Sequence, residues 1–329
     1  MARATAFAVA ILVHSVIFNQ RLDKPSPLVM NQQSYTLLEP DTRNPSAVAG
    51  VIEELHQRLF PGARAPYVRP VMQKIEQAFA GRWRDYQAMD TAYHDLEHTL
   101  QATLCCLRIL SGHQRANGHP TLAPRNFSMA FHAMLLHDIG YLKKRDDQEG
   151  TGAKYTLIHE PRGCDIAHEF LAEENWAPDD IERACSLILC TGPRSNLGGT
   201  KFGDPTHRLL AQAVCTADFL SQMSDPGYLQ KLPDLFEEFV ESDRSNNIPA
   251  DQQQFKTLGD LYRNTPTFWE KFVMPKLQHE CGNIGRYLAD PFPDGPNPYF
   301  DQVQANIAAI RRIVSISQGS LTHLAKHLG

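Results

Sequence analysis

Cysteine is scarce and unpatterned: seven in 329 residues, an odd number, with no CxxC anywhere. That excludes a zinc ribbon and argues against a disulfide-stapled secreted scaffold. Excess positive charge is missing too. With 32 Lys and Arg against 37 Asp and Glu, net −5, nothing in the composition is aimed at a nucleic-acid polymer. No GxxxxGK[ST], GxSxG or dinucleotide-binding glycine pattern occurs, which removes P-loop, α/β-hydrolase and Rossmann readings. Strand signals are nearly absent. The apolar stretch Ala4 to Phe18, after Arg3, is interrupted by His14 and Ser15 and is short of the roughly 20 residues that span a bilayer. No clear small-x-small cleavage site follows it, so a weak signal or anchor competes with an extension upstream of Met30. We expect residues 1–45 to be a poorly structured N-terminal extension on a cytoplasmic protein without stable membrane association.

What is present is helical period. Hydrophobic content of 42% supports a large core. Apolar residues recur at three- and four-residue spacing through 48–60, 71–79, 100–110, 127–139, 166–171, 181–189, 209–220 and 268–277. Glycine and proline punctuate them, and no repeat or long linker divides the chain. The expected fold is all-α, a helical bundle in one domain over 46–329. The longest irregular piece, roughly Lys143 to Leu157, is rich in charge and glycine.

Fourteen histidines are available, and most need no special role. Four places differ: around His94 and His98, at His137-Asp138, at Asp218 and at His159. In Tyr93-His94-Asp95-Leu96-Glu97-His98 the two histidines are four apart, one helical turn. His98 continues at helical spacing into Ala102, Cys105 and Ile109, so it points inward. His94 falls near the helix start, after the capping types Asp90 and Thr91. In Phe131 to Gly140, Asp138 steps back to Met134, Phe131 and Phe127, and His137 to Ala133 and Ala130. Asp218 likewise follows Val214 and Ala211. A carboxylate left unpaired on such a face costs several kcal/mol or takes up a proton. Two inward acids and two inward histidines from three helices are explained together by one divalent metal with nitrogen and oxygen ligands.

The ordered set His…His-Asp…Asp in an all-helical chain resembles the HD superfamily of metal-dependent phosphohydrolases, over about Tyr93 to Asp218. The Tyr-His-x-x-x-His form of its first motif resembles cyclic-nucleotide phosphodiesterases. The resemblance implies His98, His137, Asp138 and Asp218 as ligands of a tightly held ion, and His94 as general acid. His159, opening His159-Glu160-Pro161-Arg162-Gly163, resembles the histidine that serves a second ion through Asp138; Thr191 stands near where five-histidine relatives carry one more ligand. The expected cofactor is therefore one or two divalent ions, Mg, Mn, Fe or Zn. Lys143, Lys144 and Arg162 could meet phosphate charge, and Gln222 could contact a base. Asp95 or Glu97 could orient the acid or bind a metal-linked water. Tyr141 stands where cyclic-dinucleotide hydrolases carry lysine, and their Gly-Tyr-Pro signature is missing.

The expected activity is hydrolysis of a phosphodiester, foremost a 3′,5′-cyclic nucleotide, by metal-activated water with a histidine acid. A small-molecule nucleotide is the expected partner. The competing readings are a nucleotide phosphomonoesterase on the same fold, a non-catalytic nucleotide-binding HD module and a di-iron oxygenase.

Overall fold

A computed structural model of the chain describes residue 37 and residues 39–317. The expectations for residues 1–36 lie outside the described residues. Among those described, the regular elements are helices: α1 Pro45–Leu59, α2 Val68–Phe79, α3 Leu96–Arg115, α4 Pro124–Leu136, α5 His159–Glu173, α6 Pro178–Ile188, α7 Pro205–Met223, α8 Tyr228–Ser245, α9 Leu258–Phe268 and α10 Pro298–Ser317. No strand occurs among them, and no described helix is long and apolar enough to cross a membrane.

The helix starts follow from local chemistry. Proline opens α1, α4, α6 and α7, where its missing N–H would have had no partner. Asn44, Asp95 and Asp204 cap α1, α3 and α7 by accepting first-turn amides, including His98 N at 2.8 Å and His207 N at 2.7 Å.

Composition decides which helices lie inside. Between Leu209 and Met223, α7 carries a single charge, Asp218; beyond Arg125, α4 carries none. Between Leu96 and Leu110, α3 has only Glu97 and Arg108. Accordingly α3 is buried on all sides from His98 to His113, packed against α1, α4 and α7. Leu100, Leu107, Ile109 and Leu110 are fully buried there, each stabilising the bundle by about 1.5–3 kcal/mol.

Three boundaries depart from the expectations. α3 begins at Leu96, so His94 precedes the helix, and Asp95 spends its carboxylate on capping. α4 ends at Leu136, with His137 and Asp138 at the break before a short 3₁₀ turn, Ile139–Tyr141. The expected helix over 268–277 is instead two wide π-type turns, Trp269–Val273 and Lys276–Glu280, preceded by Pro266 and Pro275 respectively, which lack the amide a tight turn needs.

Candidate active site

The break after α4 sets the geometry. Because the chain leaves helical form at His137, neighbouring side chains turn toward one point, where α3 delivers His98 and α7 delivers Asp218. Asp138 Oδ2 lies 3.2 Å from Nε2 of His98 and 3.2 Å from Nε2 of His137. Asp218 Oδ1 stands 3.6 Å from His137 Nε2 and 3.8 Å from His98 Nε2. His159, first residue of α5, brings its Nε2 to 3.6 Å from the other oxygen, Asp138 Oδ1. All five residues are buried.

The backbone fixes the tautomers. His137 Nδ1–H donates to Met134 O at 2.7 Å, and His159 Nδ1–H donates to Thr156 O at 2.9 Å. In the neutral rings, Nε2 therefore presents a lone pair to the centre. His98 Nε2, His137 Nε2 and Asp138 Oδ2 are buried without a hydrogen-bond partner. Lone pairs facing lone pairs repel unless a cation or protons lie between them. Burial works to strip a proton from His137, but the Asp138 and Asp218 charges outweigh it and raise that pKa well above normal. Burial would raise Asp138, yet the surrounding imidazoles hold it well below the carboxylate range. The cluster thus attracts positive charge strongly.

It also fits a metal ion. Ligand atoms about 2.1 Å from one ion stand roughly 3.0–3.4 Å apart, close to the separations above. Ligand atoms of His98, His137 and Asp138 all fall within 4.8 Å of one another, so this trio could hold a divalent ion, with Asp218 approaching the two imidazoles. Asp218 is itself fixed: its Oδ2 accepts Gly192 N–H at 3.1 Å, and Gln222 Nε2 donates to its main-chain oxygen at 3.1 Å.

His94 stands beside this centre, its ring centroid 5.7 Å from that of His98. Its Nδ1 is 2.5 Å from Glu238 Oε2, while Glu238 Oε1 accepts the amides of Tyr93 at 2.6 Å and His94 at 3.3 Å. One buried carboxylate therefore fixes both the loop and the ring. Burial opposes protonation of His94, but the Glu238 charge and hydrogen bond prevail and lift its pKa to about 9. Sequence reasoning missed Glu238. The signal was there: Leu229, Leu232 and Leu235 step by threes along the inner face of α8, and Glu238 is the next member. The run Glu237-Glu238 reads at first sight as a solvated acidic face.

The loop cations expected to meet phosphate charge each bond within the protein. Lys143 is buried, bound to Asp90 at 3.1 Å and to Gly150 O at 2.5 Å. Lys144 pairs with Asp85 at 2.8 Å over the Tyr86 ring. Arg162 donates to Gly140 O at 3.0 Å and Leu142 O at 2.7 Å. A folded-back loop needs cations for its own carbonyls and acids, and these three supply them. Of the four proposed contacts, only Gln222 reaches the site, where it also accepts from the Tyr93 hydroxyl at 3.0 Å. Glu97 pairs with Lys231 at 3.2 Å, and the Thr191 hydroxyl donates to Ile188 O at 2.7 Å.

This all-α arrangement is a phosphodiesterase-domain fold. It is similar to the phosphodiesterase domain of the RhoPDE fusion protein from the choanoflagellate Salpingoeca rosetta, at 17% identity and a TM-score of 0.54, covering 87% of this chain and 96% of that one. A second structure, of the phosphodiesterase domain of Salpingoeca rosetta rhodopsin phosphodiesterase, matches at 15% identity and a TM-score of 0.53, covering 88% and 94%. More particularly, a family model matches residues 67–170 and 202–286, and the chain belongs to the Npun_R2479-like family. No curated protein matches it.

Proposed function

We propose that this protein is a metal-dependent phosphohydrolase that opens a phosphodiester, foremost a 3′,5′-cyclic nucleotide. The observation that carries the reading is a division of labour. His98, His137 and Asp138 converge with unpartnered lone pairs beside Asp218, while His94 is held next to them by an acid of its own.

A divalent ion held by the four, with a second between Asp138 and His159, would polarise a phosphoryl oxygen and supply a water acidic enough to attack near neutral pH. The remaining steps belong to the chain. Glu238 engages Nδ1 of His94, so the proton available to the substrate is the one on Nε2. With its pKa lifted to about 9, His94 carries that proton through neutrality. A ring-opening alkoxide is a poor leaving group, and protonating it accounts for about 10²–10⁴ in rate. Gln222, bound to both Asp218 and Tyr93, offers an amide to the substrate's base at the edge of the centre.

The test is leaving-group dependence. Metal-loaded protein should hydrolyse a 3′,5′-cyclic nucleotide and bis(p-nitrophenyl) phosphate. His94→Ala should lose about 10²–10⁴ on the cyclic nucleotide, far less on the nitrophenyl ester, and no bound metal. Equal losses on both esters would remove His94 as the acid. Turnover surviving full chelation would remove the metal.

A further inference from the structure

Tyr141 is 1% exposed and has no part in the mechanism above. Its ring lies 4.6 Å, centroid to centroid, from that of His94 at an interplanar angle of 18°. It lies equally 4.6 Å from His159 at 16°. The two imidazoles are 6.4 Å from each other. Seen from the centre of the phenol ring, the two imidazole centroids therefore lie about 90° apart. Both imidazoles lie nearly parallel against one phenol ring.

That ring is fixed through its backbone. A Cβ at Gly140 would fall 1.9 Å from His159 O, and one at Gly152 would fall 2.2 Å from Tyr141 O. Glycine at both positions lets the backbone on either side of Tyr141 press against α5 and the folded loop. Gly152 N in turn donates to Asp90 at 2.7 Å, and the Thr91 hydroxyl donates to His94 O at 2.7 Å. Glu238 holds only one edge of the His94 imidazole, and a single hydrogen bond leaves a ring free to rock about it. A flat surface beneath removes that freedom.

From this juxtaposition we infer that Tyr141 is a positioning residue: its ring is a shared platform that sets the planes of the proton-donor histidine and of the histidine facing the outer oxygen of Asp138. The inference rests on the proposed role of His94, and its test is divided so that the two can fail separately. The first arm needs no turnover. In Zn²⁺-loaded, histidine-labelled full-length protein, ring protons of His94 and His159, assigned with His94→Ala and His159→Ala, should be shifted upfield by the stacked ring. The His94 Nδ1–H proton facing Glu238 should give a far-downfield line. Tyr141→Phe should keep all of these, and Tyr141→Met, which fills the space without a flat face, should lose them.

In the second arm, Tyr141→Met should lower kcat on the cyclic nucleotide at least 10-fold, with KM and bound metal unchanged and a smaller loss on bis(p-nitrophenyl) phosphate. Tyr141→Phe should stay within 2- to 3-fold of wild type. Three results would overturn the platform: unshifted histidine protons in the wild-type protein, which decides the matter even if Tyr141→Met does not fold; a folded Tyr141→Met with both signature and rates intact; or equal losses in Tyr141→Phe and Tyr141→Met, which would put the role on the hydroxyl. If wild-type protein hydrolyses neither ester, the phosphohydrolase reading falls while the first arm still decides the platform.

Discussion

In the loop after the 3₁₀ turn, opposite charges meet and stop. Lys143 lies against Asp90, Lys154 against Asp147, and the Tyr155 hydroxyl donates to the same Asp147 at 2.5 Å. Thr151 donates its hydroxyl to Glu241 at 2.7 Å, tying the loop to α8. A few ångströms of backbone earlier, His137 and Asp138 are buried just as deeply, yet their inward-facing atoms have no donor. Neutralised charge holds a shape; acceptors converging on one point select a ligand. That contrast separates framework from site better than residue type does, because both regions are rich in acids and bases.

The contrast can be attacked from the site side first. Asp138→Asn takes the charge from the residue that all three imidazoles face. Bound metal should fall below one tenth of an equivalent by elemental analysis, and turnover by about 10³ or more, since both attack and charge stabilisation depend on the ion. Metal-free protein should melt lower, because a carboxylate that its imidazoles hold well below the usual range stabilises the fold at neutral pH; metal retained at a full equivalent would remove Asp138 as a ligand.

Next in size is Glu238→Gln. The acid must be protonated to act, so turnover falls as pH rises through the pKa of His94. Glu238 holds that pKa up, to about 9. Its neutral replacement should move the alkaline limb of the rate profile toward lower pH, with metal content unchanged; an unmoved limb would detach Glu238 from the acid.

From the framework side, Lys143→Met should destabilise the fold by about 1–3 kcal/mol through lost charged hydrogen bonds, read by urea denaturation, while turnover stays within a few-fold. Lys144→Ala, at an exposed pair, should cost only about 0–1 kcal/mol. A 100-fold rise in KM for either would return these lysines to the substrate.

Much of this was legible in the sequence, for a definite reason. An acid on an apolar face is costly enough to be conspicuous, so Asp138 and Asp218 declared themselves with His98, and helical period marked most of the bundle. Three helices escaped, α8, α9 and α10. α8 carries Pro233 and a string of acids, and α10 follows the proline-rich run from Pro291. Missing α8 meant missing Glu238, whose partner lies 144 residues away. The breaks at Leu96 and Leu136 were also hidden, since periodicity continues through a cap that only hydrogen bonding reveals. The internal partners of the loop lysines were not legible, because charge in a sequence does not say which carbonyl will claim it.

The docking of α8 has one more consequence. Every ligand of the proposed ion comes from outside this helix, whereas the carboxylate that engages Nδ1 of the proposed proton donor comes from it. Loading with metal and readiness to turn over are thus two separate stages of assembly. A molecule in which α8 has loosened would still titrate as fully metallated while lacking a correctly held acid. Occupancy measured on such a sample would overstate the fraction of competent protein, and whatever steadies or frees α8 would act on rate without touching the ion.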